Sequence, residues 1–219
     1  MSFWGATVIT RLLRAFGPVG AWFVKMVWGG FVVSQATLTR FFALHFLIPL
    51  AGFVLILAHV YFLHHKGSST PAGPNIVFVG FMHYFVTKDL VGFLALVFVI
   101  RRFVFFNPTF FLDGENRINA NPMVTPLHIV PEWYFLFAYC ILKSIESKIG
   151  GVLALGVSVL LIPALSYLPG LGGMHKVKVF SLMRSFIILT ALGGYELGPY
   201  FLRLARVARV VYFGAILTL

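Results

Sequence analysis

From Phe41 to Leu63 the chain is apolar apart from two histidines, His45 and His59. A run of that length is enough to cross a bilayer as a helix. The two histidines stand fourteen positions apart (59 − 45). Fourteen steps of about 100° fall roughly 40° short of four full turns, so both rings leave the helix on one face. At about 1.5 Å of rise per residue they lie roughly 21 Å apart along the axis, one near each side of the hydrocarbon. An imidazole at that depth needs a partner, because an unpaired polar group in lipid is costly. Hydrogen bonds to neighbouring helices are one solution. Two stacked metal macrocycles, each ligated by one ring, are the other, and the spacing alone leaves both open.

Composition places this run in a polytopic membrane protein rather than a soluble domain. Hydrophobic residues make up 60% of the 219 positions and charged residues only 11%, far outside the soluble range. Seventeen Lys and Arg stand against six Asp and Glu, a net charge of +11. The basic residues are scattered through apolar sequence instead of clustering on one face, which argues against nucleic acid as a partner. Membrane lipid headgroups and acidic protein partners fit better. The single cysteine, Cys140, excludes an internal disulfide and a Cys-only metal centre, and reads as a small core residue.

The expected fold class is an all-α membrane protein of about five transmembrane helices plus interfacial helices. Residues 1–35 are broken by Gly and Pro and read as surface helices, with Trp4, Trp22 and Trp28 at headgroup level. Spans are expected at about 38–64, 89–106, 149–168, 179–193 and 199–219. The segment 131–145 is too short to span and reads as a re-entrant or interfacial helix. Arg203, Arg206 and Arg209 share a face, and snorkelling at a helix end, protein contact or, for some, pairing with a cofactor carboxylate are the roles open to them. Three regions follow: 1–64 with the surface helices and the histidine-bearing span, 65–88 as an inner-side connection, and 89–219 as the remainder. The last region holds a long loop system at 107–146, and loops of that length are usually functional.

The motif Pro131-Glu132-Trp133-Tyr134, within Pro126-Leu-His128-Ile-Val130-Pro through Ile145, closely resembles the quinol-oxidation loop of the mitochondrial-type cytochrome b family. Gly5-Ala-Thr-Val-Ile-Thr10 resembles the surface helix on the opposite wall of that pocket. Thr37-Leu-Thr-Arg40 through His45, and on to Gly67-Ser68, is similar to the family's fourth transmembrane helix with its two haem-ligating histidines. Lys88-Asp89 resembles the pair opening the fifth. The family has eight such helices, so the chain looks like a C-terminal portion, split or fragmented. Val130 departs from the basic residue usual there, and the region around 171–193 looks shortened.

The resemblance implies that His45 and His59 each ligate one of two haem b groups, with Arg40 near a propionate. It implies Glu132 as the carboxylate that takes a proton from quinol, with burial raising its pKa, and Tyr134, Tyr139 and Gly5 as further members of that pocket. His64, Ser68, Lys88 and Asp89 would form the quinone-reducing pocket, His64 and Asp89 supplying protons. His65 and His83 read as loop histidines and His128 as structural. The implied function is that of a ubiquinol–cytochrome c oxidoreductase subunit, passing electrons from ubiquinol through the haems to ubiquinone and contributing to proton translocation. The contrasting reading is an assembled structural remnant without electron transfer, against which the retained His45, His59, Glu132 and Asp89 argue. Implied partners are a separate chain with three further helices and two further histidine ligands, an iron–sulfur (Rieske) protein, a cytochrome c1-type subunit, other subunits and a second copy of the complex. The implied location is the mitochondrial inner membrane, with a bacterial plasma membrane as the alternative.

Overall fold

The computed structural model describes residues 2–68, 79–111, 114–164 and 176–217. Asp113, His175 and the expected end of the third span at 165–168 lie outside them. Every regular element among the described residues is helical. The chain divides into two compact units, one of Met1–Leu38 with Asn121–Leu219 and one of Thr39–Ala120.

In the first unit, α1 (Ser2–Leu12) and α2 (Gly17–Trp28) are joined by a 3-10 turn at Leu13–Phe16. Pro18 falls at the start of α2, where a missing N–H costs nothing, and Gly29 ends it in the left-handed conformation that glycine adopts without strain. Trp28 locks this hairpin to the start of the next helix. Its indole Nε1 donates to Thr10 Oγ1 at 2.7 Å, and its carbonyl accepts from Thr37 Oγ1 at 2.7 Å. The guanidinium groups of Arg11 and Arg14 lie 5.9 and 5.2 Å from its ring centroid. Trp4 and Trp28 are therefore buried within the chain, contrary to the expected headgroup position, while Trp22 is exposed. The indole found its polar partner in Thr10 instead of at a membrane interface.

The main core of the same unit surrounds α5 (Leu136–Lys143). Phe137, Ala138, Cys140 and Ile141 pack with Leu189 and Leu192 of α7 (Lys176–Gly193) and with Ala205, Ala208, Tyr212 and Ile216 of α8 (Pro199–Leu217). Leu155 and Val159 of α6 (Lys148–Ala164) cover this cluster. The short helix read as interfacial is the centre of the packing. Phe137, Ala138, Cys140 and Ile141 form its buried face, while Tyr139 and Lys143 lie together on the other. Tyr212 donates its hydroxyl to the Ser158 carbonyl at 3.0 Å, tying α8 to α6. At Gly193 a Cβ would land on the Leu136 carbonyl oxygen, so only glycine lets α7 approach α5 this closely.

The second unit holds α4 (Val86–Phe106), entered through a π turn at Phe81–Phe85, and most of α3 (Gln35–Lys66). No described residue from 39 to 120 is buried. Among the described helices, α3 alone is long and apolar enough to cross a membrane by length and composition. The expected count of five spans is not reproduced on that measure. The physical reason is charge and length: α4 carries Arg101 and Arg102, α8 carries Arg203, Arg206 and Arg209, and α6 has only 17 residues.

Candidate functional site

The helix α3 is unbroken from Gln35 to Lys66, so the separation of His45 and His59 read from their spacing carries over directly. Pro49 sits inside it, one turn after His45, and has no N–H to offer the His45 carbonyl. Both imidazoles are exposed, and neither makes a hydrogen bond within the described structure. The hydrogen-bonded alternative therefore finds no partner among the described residues. No cluster of three or more His, Cys, Asp and Glu suited to a metal occurs among them either. What α3 presents is one free imidazole at each of two depths on an apolar helix. That donor set fits one axial position on each of two haem irons. Arg40 lies just over one turn before His45, exposed on the same helix.

His64 falls in the last turn of α3 and Ser68 just beyond it, while Lys88 and Asp89 stand in the first turn of α4. All four are exposed. The Lys88 ammonium rests 5.3 Å from the Tyr84 ring. No hydrogen bond or ion pair joins these four among the described residues, so α3 and α4 supply the groups at their ends without linking them. Residues 69–78 of the intervening connection are outside the description.

In the first unit, Glu132 caps a 3-10 turn at Trp133–Phe135, its carbonyl accepting from the Phe135 amide at 2.9 Å. The side chain caps nothing and is exposed. The expected burial of Glu132 is thus corrected. The segment runs along the outside of the α5 core, where Trp133, Tyr134 and Phe135 are 59%, 50% and 49% exposed, and no described residue covers the carboxylate. Gly5 lies on α1 with open space where a Cβ would stand. Tyr139 is half-buried on α5, and its hydroxyl donates to the Ile129 carbonyl at 3.4 Å. Burial pushes its pKa above the ordinary value.

Beside Tyr139 is a cavity of about 270 Å³, lined by His128, Lys143, Tyr195 and Glu196 among others. Lys143 dominates it. Its Nζ donates to the carbonyls of Gly193 at 3.1 Å and Tyr195 at 2.8 Å, and lies 4.6 Å from the Tyr139 ring centroid. Burial pulls its pKa below the usual lysine value, an effect that Cys140 and Glu196 oppose. Sequence reasoning assigned Lys143 no role. A cation four residues after an aromatic on one helix was the available signal. The Arg206–Glu146 ion pair at 2.7 Å and the Arg209 bonds to Ser144 O and Oγ, each 3.0 Å, were not legible, because their partners lie 60 and 65 positions away. They settle the α8 arginines as protein contacts for these two residues.

Two family models match end to end: Cytochrome b(N-terminal)/b6/petB over residues 1–114 and Cytochrome b(C-terminal)/b6/petD over 119–213. The expectation of a C-terminal portion is refined accordingly, since more than half of the chain matches the N-terminal description. A cytochrome b from Albinaria caerulea is 51% identical over 97% of this chain and 60% of its own length. A chain of a solved structure, "Hyperthermophilic respiratory Complex III", superposes with a TM-score of 0.87 at 31% identity, over 99% of this chain and 61% of that one. The chain spans about 60% of the length of these relatives. The separate partner chain expected from the sequence gains no support from these comparisons. The paired imidazoles on α3, the Pro-Glu-Trp-Tyr segment ahead of α5 and both matches converge: the chain belongs to the cytochrome b family, whose members in respiratory Complex III are integral membrane proteins.

Proposed function

We propose that this chain supplies one axial imidazole to each of two b-type haems and carries residues of two quinone pockets of a ubiquinol–cytochrome c oxidoreductase. The observation that carries this reading is the pair of exposed, unpartnered imidazoles on one face of α3. When bound, the haems supply the electron path between the two pockets. None of the other five histidines, at 64, 65, 83, 128 and 175, repeats the fourteen-residue spacing. His45 would hold the haem nearer quinol oxidation, with Arg40 near a propionate, and His59 would hold the other.

At the oxidising pocket Glu132 accepts a proton from a quinol hydroxyl, and its exposed position lets the carboxylate pass that proton to water. Tyr134 offers a hydroxyl beside it, Tyr139 fixes the backbone at Ile129, and Gly5 leaves room for the quinol ring. At the reducing pocket His64 and Asp89 hydrogen-bond the two quinone carbonyls and deliver protons, while Lys88 and Ser68 add donors. The complex includes an iron–sulfur protein that takes one electron of each quinol, a cytochrome c1-type subunit and a second copy of the complex. Its place is the mitochondrial inner membrane.

Stopped-flow reduction of the haems by quinol, with inhibitors of each pocket, tests the assignment. Glu132→Gln keeps size and hydrogen bonding but removes the proton acceptor, and a positioned base contributes about 10²–10⁴-fold. Water can take over part of this role at an exposed carboxylate, so the expected slowing is near the low end. Asp89→Asn leaves haem reduction by quinol intact and impairs quinone reduction. An unchanged quinol-driven rate in Glu132→Gln across pH 6–8 overturns the proton-acceptor role.

A further inference from the structure

We propose that Lys143 is a positioning residue for the quinol-oxidising segment, acting through Tyr139 on the backbone that leads into Glu132. The inference rests on the quinol reading of Glu132 above. Lys143 closes α5, and its ammonium holds the turn between α7 and α8 by two carbonyl bonds, to Gly193 and Tyr195. The same ammonium lies 4.6 Å from the Tyr139 ring centroid, one turn back on α5. Tyr139 in turn donates to the carbonyl of Ile129, three residues before Glu132. Three links thus run from the α7–α8 turn to the segment that carries Glu132.

Each link has a physical reason to be stiff. The ammonium has three donors, of which two are used on carbonyls whose helical partners have ended. The Tyr139 ring is half-buried between the Lys143 ammonium and the Ile129 segment, and its hydroxyl reaches the Ile129 carbonyl by a long bond of 3.4 Å. The cavity beside it is lined from both sides, by Leu127, His128, Ile129 and Val130 and by Tyr195, Glu196 and Leu197. With empty space between these segments, apolar packing does not hold them in register. The Lys143 and Tyr139 bonds do so instead. Burial lowers the Lys143 pKa, and Cys140 and Glu196 oppose that shift in favour of the charged ammonium.

The test uses the assembled complex carrying Lys143→Met, Tyr139→Phe or both, with quinol KM and kcat measured and haem spectra recorded. Loss of one or two hydrogen bonds predicts a quinol KM raised roughly 2- to 10-fold by each single change. Because both act along one path, the double variant is expected to match the larger single effect rather than their product. Lys143→Arg keeps two donors and an aromatic contact and is expected to restore KM to within about twofold. Where Lys143→Met fails to assemble, Lys143→Gln keeps an amide NH2 but loses the charge and the cation–ring contact, and is expected to give an intermediate KM. An unchanged KM in the lysine variants, or fully multiplicative effects in the double, overturns the positioning role. Glu132→Gln runs alongside: if it too leaves quinol oxidation unchanged, the quinol reading itself has failed, whereas a slow Glu132→Gln beside a normal Lys143→Met removes only this inference.

Discussion

Gly193 is the point at which α7 meets the first turn of α5, and adding one methyl there is a sharp perturbation. A Cβ at Gly193 would collide with the Leu136 carbonyl oxygen and come within 2.7 Å of its carbon and 2.9 Å of the Leu136 Cβ. These are mostly backbone atoms at the start of α5, so no side-chain rotation relieves the clash. Either α7 or α5 must shift, at a cost of about 1–3 kcal/mol for overpacking. For a chain of this size that corresponds to a fall in Tm of roughly 2–12 °C. The neighbouring Gly194 provides the control, because a Cβ there meets only Leu136 Cδ1 at 3.9 Å, an ordinary contact. The readout is local: Cys140 is fully buried in the α5 core, so its alkylation on heating, followed in the Cys140 peptide by mass spectrometry, reports when the core opens. Gly193→Ala is expected to expose Cys140 at a clearly lower temperature than Gly194→Ala. Equal midpoints for the two variants would refute the close approach of α7 to α5.

Three further outcomes follow from the same contacts. Trp28→Phe removes the indole donor to Thr10 but leaves the Thr37 bond to the backbone carbonyl, so a loss of about 1 kcal/mol is expected, seen as earlier proteolysis between α1 and α2; wild-type cleavage kinetics would contradict it. Cys140, its pKa pushed up to about 11 by burial, has roughly one thiolate in a thousand at pH 8, and the native complex is expected to show no alkylation there over an hour with iodoacetamide. Burial of the neutral Tyr139 phenol raises its pKa, so its contribution to stability is present below the ordinary tyrosine value of 10.0 and is lost as pH rises through the folded value; ultraviolet difference titration is expected to find a tyrosine ionising above pH 10 that is missing in Tyr139→Phe and reverts to ordinary behaviour in denaturant.

The sequence made the continuity of α3 legible, since an apolar run with two histidines on one face has few other solutions. It also made the ends of α4, α7 and α8 legible, because Asn107, Gly193-Gly194 and Pro199 punctuate them. The role of α5 was not legible. A helix of eight apolar residues looks interfacial on length, and only the approach of α7 through Gly193 and of α8 through Ala205 and Ala208 surrounds it. The tryptophans misled for a related reason: Trp28 is satisfied by Thr10, a partner 18 positions away that periodicity does not reveal. Glu132 stood out by motif, yet its burial could not be read from apolar neighbours in sequence, because those neighbours point outward from the α5 core. Lys143 was passed over because its acceptors are backbone carbonyls, which carry no residue signature.

Haem content after removal of each α3 imidazole tests the central proposal most directly. Reduced-minus-oxidised spectra and a pyridine haemochrome assay on the assembled complex are expected to give two b-type haems per copy of this chain. His45→Leu is expected to remove the haem that accepts electrons first from quinol, and His59→Leu to leave that haem reducible while blocking transfer onward. Full haem content in both variants, with unchanged spectra, would contradict the assignment of His45 and His59 as axial ligands.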